Sequence, residues 1–389
     1  MIFQHFDRDE FLRDYWQKQP LLIRNPGQRF KDLVTAEELA GLACEESVES
    51  RLVSTQADGN LKLAHGPFAE NEFKGLGERD WTLLVQAVDQ YVGAVDGIKS
   101  WFDFIPRWRI DDVMVSYACP GGGVGAHFDQ YDVFLIQGSG SRNWKIGAHC
   151  NASSPLRANT DLRILANFEA ESEYILEPGD MLYLPPRIAH HGVSIDHSLC
   201  YSVGFRSPSL AEIIQGYTDD LCDTVSEDLR FVDPAPTVPS YPDEVSQPAL
   251  LAGFSMLENT LGNQDLFNRW FASYVTNPKY PEHIEPTSPA INAAGIANLI
   301  NKQGQLTEFN RNPSSRFAYY MDGNAVGFFV DGHPVDCSID QIKLVRQLCE
   351  CSWTQAIPAT ELPADLATAK LLATLVNQGS LLLCSIDDG

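Results

Sequence analysis

The chain has 389 residues, 44% hydrophobic and 21% charged, the balance of a folded protein of two or three domains and not of a disordered, collagen-like or coiled-coil chain. With 28 Lys and Arg against 52 Asp and Glu, the formal net charge is −24. That charge opposes phosphate backbones and anionic membranes, and it suits a basic partner or a neutral small molecule. Nine cysteines without a CxxC disfavour a zinc ribbon or a disulfide scaffold, so reduced thiols and a cytoplasmic location are expected. The opening MIFQHFDRDEF lacks the basic start and apolar core of a signal peptide, and no apolar run approaches the roughly 18 residues of a membrane span.

The first hundred residues read as mixed and mostly helical. Asp7 is a candidate N-cap with Glu10 three residues on and Phe6 and Phe11 as a staple; Thr35, Glu38, Val34 and Leu39 repeat the device. From Trp81 to Val95 apolar residues recur with helical spacing, which predicts a helix there. Between about 110 and 206 the period changes. Short β-rich runs appear at Val113–Tyr117, Tyr131–Ile136, Asn143–Ile146, Tyr174–Leu176, Met181–Leu184 and Leu199–Phe205. Turns such as Pro120-Gly-Gly-Gly123 and Glu177-Pro-Gly-Asp180 separate them, with no amphipathic helix between. An antiparallel barrel or sandwich is therefore expected.

After Pro208 the pattern is helical again, at Leu210–Tyr217 and in a run from Leu250 to Tyr274. A connection holding Pro234, Pro236, Pro239, Pro242 and Pro248 lies between them, and a second proline-rich stretch, Pro278 to Pro289, marks a further boundary. Beyond it come a helix at Ile291–Asn301, β-runs at Phe317–Met321 and Ala325–Val330 joined through Asp322-Gly323-Asn324, helices at Ile339–Leu348 and Leu366–Val376, and a strand at Ser380–Cys384. Small helices around a hairpin suggest a winged helix. The expected division is 1–207, 208–280 and 281–389.

One stretch carries chemistry. Gly121-Gly-Gly-Val-Gly-Ala-His127-Phe-Asp129 places a histidine and a carboxylate two residues apart, which on a strand aims both at one point with Phe128 facing away. A lone His-x-Asp carries little. A third ligand is supplied by Gly179-Asp-Met-Leu-Tyr-Leu-Pro-Pro-Arg-Ile-Ala-His190, where a turn, an alternating strand and a proline-stiffened bend deliver His190. His191 is the alternative ligand, while His283-Ile-Glu285 lies in a proline-rich boundary without strand context. Two histidines and one carboxylate on a rigid barrel form the facial triad of non-haem Fe(II) oxygenases.

These two halves resemble the two cupin motifs, with Arg187 where cupins usually place glycine. The longer string Val124-Gly-Ala-His-Phe-Asp-Gln-Tyr-Asp-Val-Phe134, with Gln137-Gly138 and Tyr201-Ser-Val-Gly-Phe-Arg206, resembles the JmjC-type ribosomal oxygenases of bacteria. The resemblance implies an α+β multidomain chain: a double-stranded β-helix (the JmjC/cupin barrel), then a helical bundle that dimerises, then a winged-helix domain. It implies His127, Asp129 and His190 as ligands of Fe(II), with 2-oxoglutarate and O2 as co-substrates. Arg142 matches the arginine that grips the far carboxylate of 2-oxoglutarate, with Lys145 as the other candidate cation, and Ser116 matches a hydroxyl contacting the same molecule.

The activity so implied is hydroxylation of an arginine at its β-carbon in large-subunit ribosomal protein sixteen. The alternatives are a histidine-directed hydroxylase, a small-molecule dioxygenase of the cupin fold, or a non-enzymatic scaffold for basic proteins. A basic ribosomal protein fits the charge of −24. The last helix carries a single basic residue, Lys370, so the winged helix is expected to contact protein and no nucleic acid directly. A homodimer and no membrane contact complete the expectation.

Overall fold

A computed structural model describes the chain except residues 1–5, 25–29, 159, 235–237, 239–240, 302–306 and 386–389. Pro236 and Pro239 of the expected linker lie outside the described residues. The chain divides into two compact units, Met1–Ser207 and Pro208–Gly389.

The first unit holds eleven described strands: β1 Leu21–Ile23, β2 Ser50–Thr55, β3 Leu61–His65, β4 Trp81–Val85, β5 Ile110–Ala118, β6 Asp132–Gln137, β7 Arg142–His149, β8 Ala170–Leu176, β9 Met181–Leu184, β10 Ile188–Ser194 and β11 Ser198–Phe205. They form an eight-stranded sheet, β1-β9-β6-β11-β5-β4-β2-β3, and a three-stranded sheet, β10-β7-β8. All pairings are antiparallel.

Alternation along the large sheet sorts side chains onto two faces. Phe134, Met181, Tyr183, Tyr201, Val203 and Phe205 bury in a core shared with Phe11, Leu39 and Phe102 from the N-terminal segments. Each fully buried aromatic ring there contributes about 2 kcal/mol by removal from water. The opposite face supplies Val133, Leu135, Leu182, Leu184 and Cys200 to a second cluster with Trp144 and Ile146 of β7. That second cluster lies between the two sheets.

The N-terminal caps are as the sequence suggests. Asp7 accepts hydrogen bonds from the Asp9 and Glu10 amides at 3.0 Å, and the Phe6 and Phe11 rings lie 5.2 Å apart. Thr35 and Glu38 form a reciprocal capping box. The helix expected over Trp81–Val95 is not formed. Trp81–Val85 is β4, followed by a 3-10 turn at Val88–Gln90 and a short helix at Gly93–Asp96. β4 is buried on both faces, so its apolar run loses the alternation that marks a half-exposed strand. With β1 to β4 present, the first hundred residues are not mostly helical.

In the second unit the expected run Leu250–Tyr274 is two helices, Gln247–Leu261 and Gln264–Thr276. Gly262 closes the first, and the Asn263 side chain caps the second by accepting from the Asp265 and Leu266 amides. Tyr217 and Leu221 of the helix Leu210–Thr224 pack on Trp270. Six further strands follow: β12 Thr307–Arg311, β13 Phe317–Asp322, β14 Ala325–Val330, β15 His333–Val335, β16 Ile357–Pro358 and β17 Leu381–Ser385. β13 and β14 pair through Asp322 and Ala325 around Gly323-Asn324, the hairpin the sequence predicts. The helices Ala293–Asn301, Ile342–Glu350 and Leu366–Asn377 bury their apolar faces in one core with Phe309 and Phe328. Among the described residues no helix is long and apolar enough to cross a membrane.

Candidate metal centre and co-substrate pocket

The structure brings His127, Asp129 and His190 together: one ligand atom from each lies within 4.8 Å of the others. His190 is on β10. His127 and Asp129 do not lie on a strand, as the motif suggests, but on an extended segment joined to β10 by a single bridge. The His127 amide donates to the His190 carbonyl at 3.0 Å, and the His190 amide donates back at 2.8 Å. Asp129 is fixed by its own carbonyl, which accepts from the Arg187 amide at 2.6 Å. Arg187 holds a left-handed φ of 70° there, which explains why glycine suits that position. Nor is His190 delivered by a proline bend alone. Ile188–Ser194 is a full strand paired with β7, with a bulge between Ile188 and His190.

The glycine run sets this register. Gly121 donates to the Ser194 carbonyl at 2.8 Å, and the Ser194 amide donates to the Gly122 carbonyl at 2.9 Å. A Cβ at Gly123 would collide with the Gly192 carbonyl. Gly192 itself faces the six-membered ring of Trp144, which a Cβ would meet at 2.7 Å. Gly123→Ala is therefore expected to push the His127 segment off β10 and weaken Co(II) binding about tenfold, read by spectroscopic titration. Wild-type Co(II) affinity would mean that the segment tolerates the displacement.

The donor set fits a divalent ion. The Nδ1 atoms of His127 and His190 lie 3.0 Å and 2.9 Å from the carbonyl oxygens of Gly125 and Ile188. A carbonyl only accepts, so each Nδ1 carries the proton and each Nε2 presents a lone pair. Those Nε2 atoms lie 3.9 Å and 3.6 Å from Asp129 Oδ2. Burial, then the neighbouring His127, lowers the His190 pKa to about 4, so this imidazole is neutral at pH 7. The His190 side chain is 4% exposed, and those of His127 and Asp129 are each 24% exposed, so the centre opens to one side. His191 points the other way, its ring edge-on to Phe168 at 6.0 Å. His283 belongs to the second unit, in a 3-10 turn, where its ring stacks on Tyr280.

Arg142 is on β7, four residues from Ile146, the register partner of His190, and its own partner on β10 is Ser194. Its guanidinium is buried. Nε donates to Ser198 Oγ at 2.8 Å, Nη1 to Ser116 Oγ at 2.9 Å, and Nη2 to the carbonyls of Ser116 and Ser198 at 3.0 and 3.2 Å. All four acceptors are neutral, and among the described residues no carboxylate pairs with it. Burial accordingly pushes its pKa down. Ser116, expected at the same pocket, is thus in direct contact with Arg142. Lys145 lies on the outer face of β7, 3.9 Å from Glu173 and half exposed.

From this floor the inward face of β5 runs Ser116, Met114, Asp112, opposite Cys200, Ser202 and Gly204 of β11. Asp112 is buried, and sequence reasoning passes over it. Its signal is a carboxylate on the same alternating row of β5 as Met114 and Ser116. Tyr131 stands next to it at the rim: a Cβ on Gly204 would meet Asp112 Oδ1 at 3.9 Å and the Tyr131 ring at 4.0 Å. Asp132 is elsewhere. It is fully buried and accepts from Tyr183 at 2.6 Å, Arg109 at 3.1 Å and Gln17 at 3.2 Å, which ties the N-terminal segment to the barrel.

A double-stranded β-barrel with an open two-histidine, one-carboxylate centre defines the class of mononuclear, metal-dependent oxygenases. Comparison with known proteins narrows it. Residues 98–213 match the JmjC domain and residues 256–382 the ROXA-like winged helix. The chain is 37% identical over 297 residues to the ribosomal protein uL16 3-hydroxylase of Escherichia coli, covering 76% of this chain and 78% of that protein. It is 41% identical over 220 residues to a probable ribosomal oxygenase of Haemophilus influenzae, covering 56% of this chain and 54% of that one. The solved structure of E. coli YcfD, a ribosomal oxygenase in complex with cobalt and 2-oxoglutarate, superposes with a TM-score of 0.82 at 31% identity, over 97% of this chain and 98% of that one. The chain belongs to the bacterial ribosomal oxygenases that join a JmjC barrel to a ROXA-like winged helix.

Proposed function

We propose that the chain is an Fe(II)- and 2-oxoglutarate-dependent hydroxylase that acts on the β-carbon of an arginine in ribosomal protein uL16. The observation that carries this reading is the pairing of an open His127-Asp129-His190 centre with a buried, carboxylate-free Arg142 in one barrel. When bound, the ferrous ion would couple oxidative decarboxylation of 2-oxoglutarate by O2, to succinate and CO2, with insertion of the second oxygen atom of O2 into a C–H bond. The protein supplies binding and orientation. Arg142 has made four of its five N–H hydrogen bonds, and the fifth serves the far carboxylate of the co-substrate. The Ser116 hydroxyl accepts from Arg142 and, among the described residues, has only a long 3.5 Å contact to the Cys200 carbonyl for its own proton, so it donates to the same carboxylate.

The target arginine enters past Tyr131. Its stem lies along Met114, and its guanidinium reaches the Asp112 carboxylate. The relative named as a uL16 3-hydroxylase supports this substrate. The chain's charge of −24 supports a basic partner reached by electrostatic steering, with protein and not nucleic acid as the direct contact. Nine cysteines outside any disulfide support a cytoplasmic setting. The test is anaerobic Fe(II) loading followed by turnover with purified uL16 and mass spectrometry. A gain of one oxygen on arginine is expected. A gain on histidine would move the assignment to the histidine-directed class, and no gain would leave the scaffold.

The helices within 208–280 are proposed as the dimerisation segment. The helix Gln247–Leu261 has no buried residue, and Leu250, Leu251, Phe254 and Leu257 are all more than half exposed. Light scattering is expected to give twice the monomer mass, and Phe254→Asp to halve it. A wild-type monomer would refute the dimer.

A further inference from the structure

We propose that Arg51 and Gln86 form a relay that positions Asp112 for the guanidinium of the target arginine. The inference rests on the arginine reading above. β2, β4 and β5 are neighbours in the large sheet, with Arg51 opposite Leu84 and Leu84 opposite Ser116. Arg51 therefore shares the inward face with Ser116, Met114 and Asp112. Gln86 follows β4 directly, two residues past Leu84, and extends the same row.

The hydrogen bonds run in one direction. Arg51 Nη2 donates to Gln86 Oε1 at 3.1 Å, and Gln86 Nε2 donates to Asp112 Oδ2 at 2.8 Å. A guanidinium only donates and a carboxylate only accepts, so a single orientation of the Gln86 amide satisfies both neighbours. Arg51 Nη2 also lies 3.9 Å from the Met114 sulfur, which places it against the channel wall. The relay fixes Oδ2 of Asp112, and with it the plane of the carboxylate. Oδ1 lies on the Gly204 side, 3.9 Å from where a Cβ on Gly204 would stand, with the Tyr131 ring 4.0 Å from the same point. A planar guanidinium fork gains from a carboxylate whose plane is already set, whereas a lysine ammonium does not. Arg51 and Gln86 are positioning residues: they act through Asp112.

The experiment compares wild type, Gln86→Leu, Arg51→Met and Arg51→Lys as full-length enzyme on intact uL16. Gln86→Leu and Arg51→Met are expected to raise KM for uL16 about tenfold with a smaller fall in kcat. Co(II)-supported 2-oxoglutarate affinity, measured by calorimetry, is expected to hold. Arg51→Lys restores a donor to Gln86 and recovers most of the KM, which simple loss of folding would not allow. A uL16 KM within twofold of wild type in both disruptive variants would overturn the relay, as would an equal loss of 2-oxoglutarate affinity. Absence of arginine hydroxylation by the wild type would instead overturn the underlying reading, and the relay with it.

Discussion

Asp129→Ala is expected to lower hydroxylation at least a thousandfold while leaving the barrel folded. Asp129 is the only anion among the three proposed ligands, its Oδ2 set 3.6 to 3.9 Å from the two imidazole Nε2 atoms. Without it a divalent cation would rest on two neutral nitrogens, and its charge would go uncompensated inside the barrel. Metal affinity should fall more than the 10- to 100-fold typical of losing an outer-shell partner, because a direct ligand goes. The side chain is a quarter exposed and its carbonyl, not its carboxylate, ties the segment to Arg187. The melting temperature of the metal-free protein should therefore move by only a few degrees. Co(II) titration and mass spectrometry of uL16 check the two halves. Persistence of turnover in the alanine variant would remove Asp129 from the centre.

Arg142→Met is the second large effect, and it separates stability from co-substrate affinity. In the free protein the buried guanidinium has four neutral acceptors and, among the described residues, no counter-charge. Replacing the buried charge by an apolar side chain of similar length removes a desolvation penalty but takes the donor from the Ser116 and Ser198 hydroxyls and carbonyls, so the two terms offset and the ligand-free protein is expected to change in stability far less than it changes in 2-oxoglutarate affinity. The co-substrate loses its charge-assisted partner. At about 3–5 kcal/mol for breaking a buried ion pair, affinity for 2-oxoglutarate should fall by roughly 100- to 4,000-fold. Thermal melts with and without 2-oxoglutarate separate the effects. If the variant still gains stability from 2-oxoglutarate as wild type does, Arg142 is not the anchor.

Much of the site was legible because its signals are local. Glycine turns, strand alternation and the His-x-Asp spacing are short-range consequences of backbone geometry, and they pointed to His127, Asp129 and His190 before any contact was known. The bridge that seats His127 was not legible: it depends on the β10 backbone 63 positions away, and β10 itself, with His190, His191, Gly192 and Ser194, has little intrinsic strand preference. It is a strand because β7 pairs with it. β4 failed for the converse reason. Both of its faces are covered, so its pattern carries no direction. Asp112 on β5, Gln86 just past β4 and Arg51 on β2 share no motif. Only the sheet order places them in one row.

The lone guanidinium at the barrel floor also ties this protein's persistence to small-molecule supply. A dicarboxylate that binds only the native state stabilises it by mass action, about 2.7 kcal/mol when present at a hundred times its Kd. Cells short of 2-oxoglutarate would thus hold a less protected polypeptide, more open to proteolysis, and lose hydroxylating capacity through falling abundance as well as through an empty pocket.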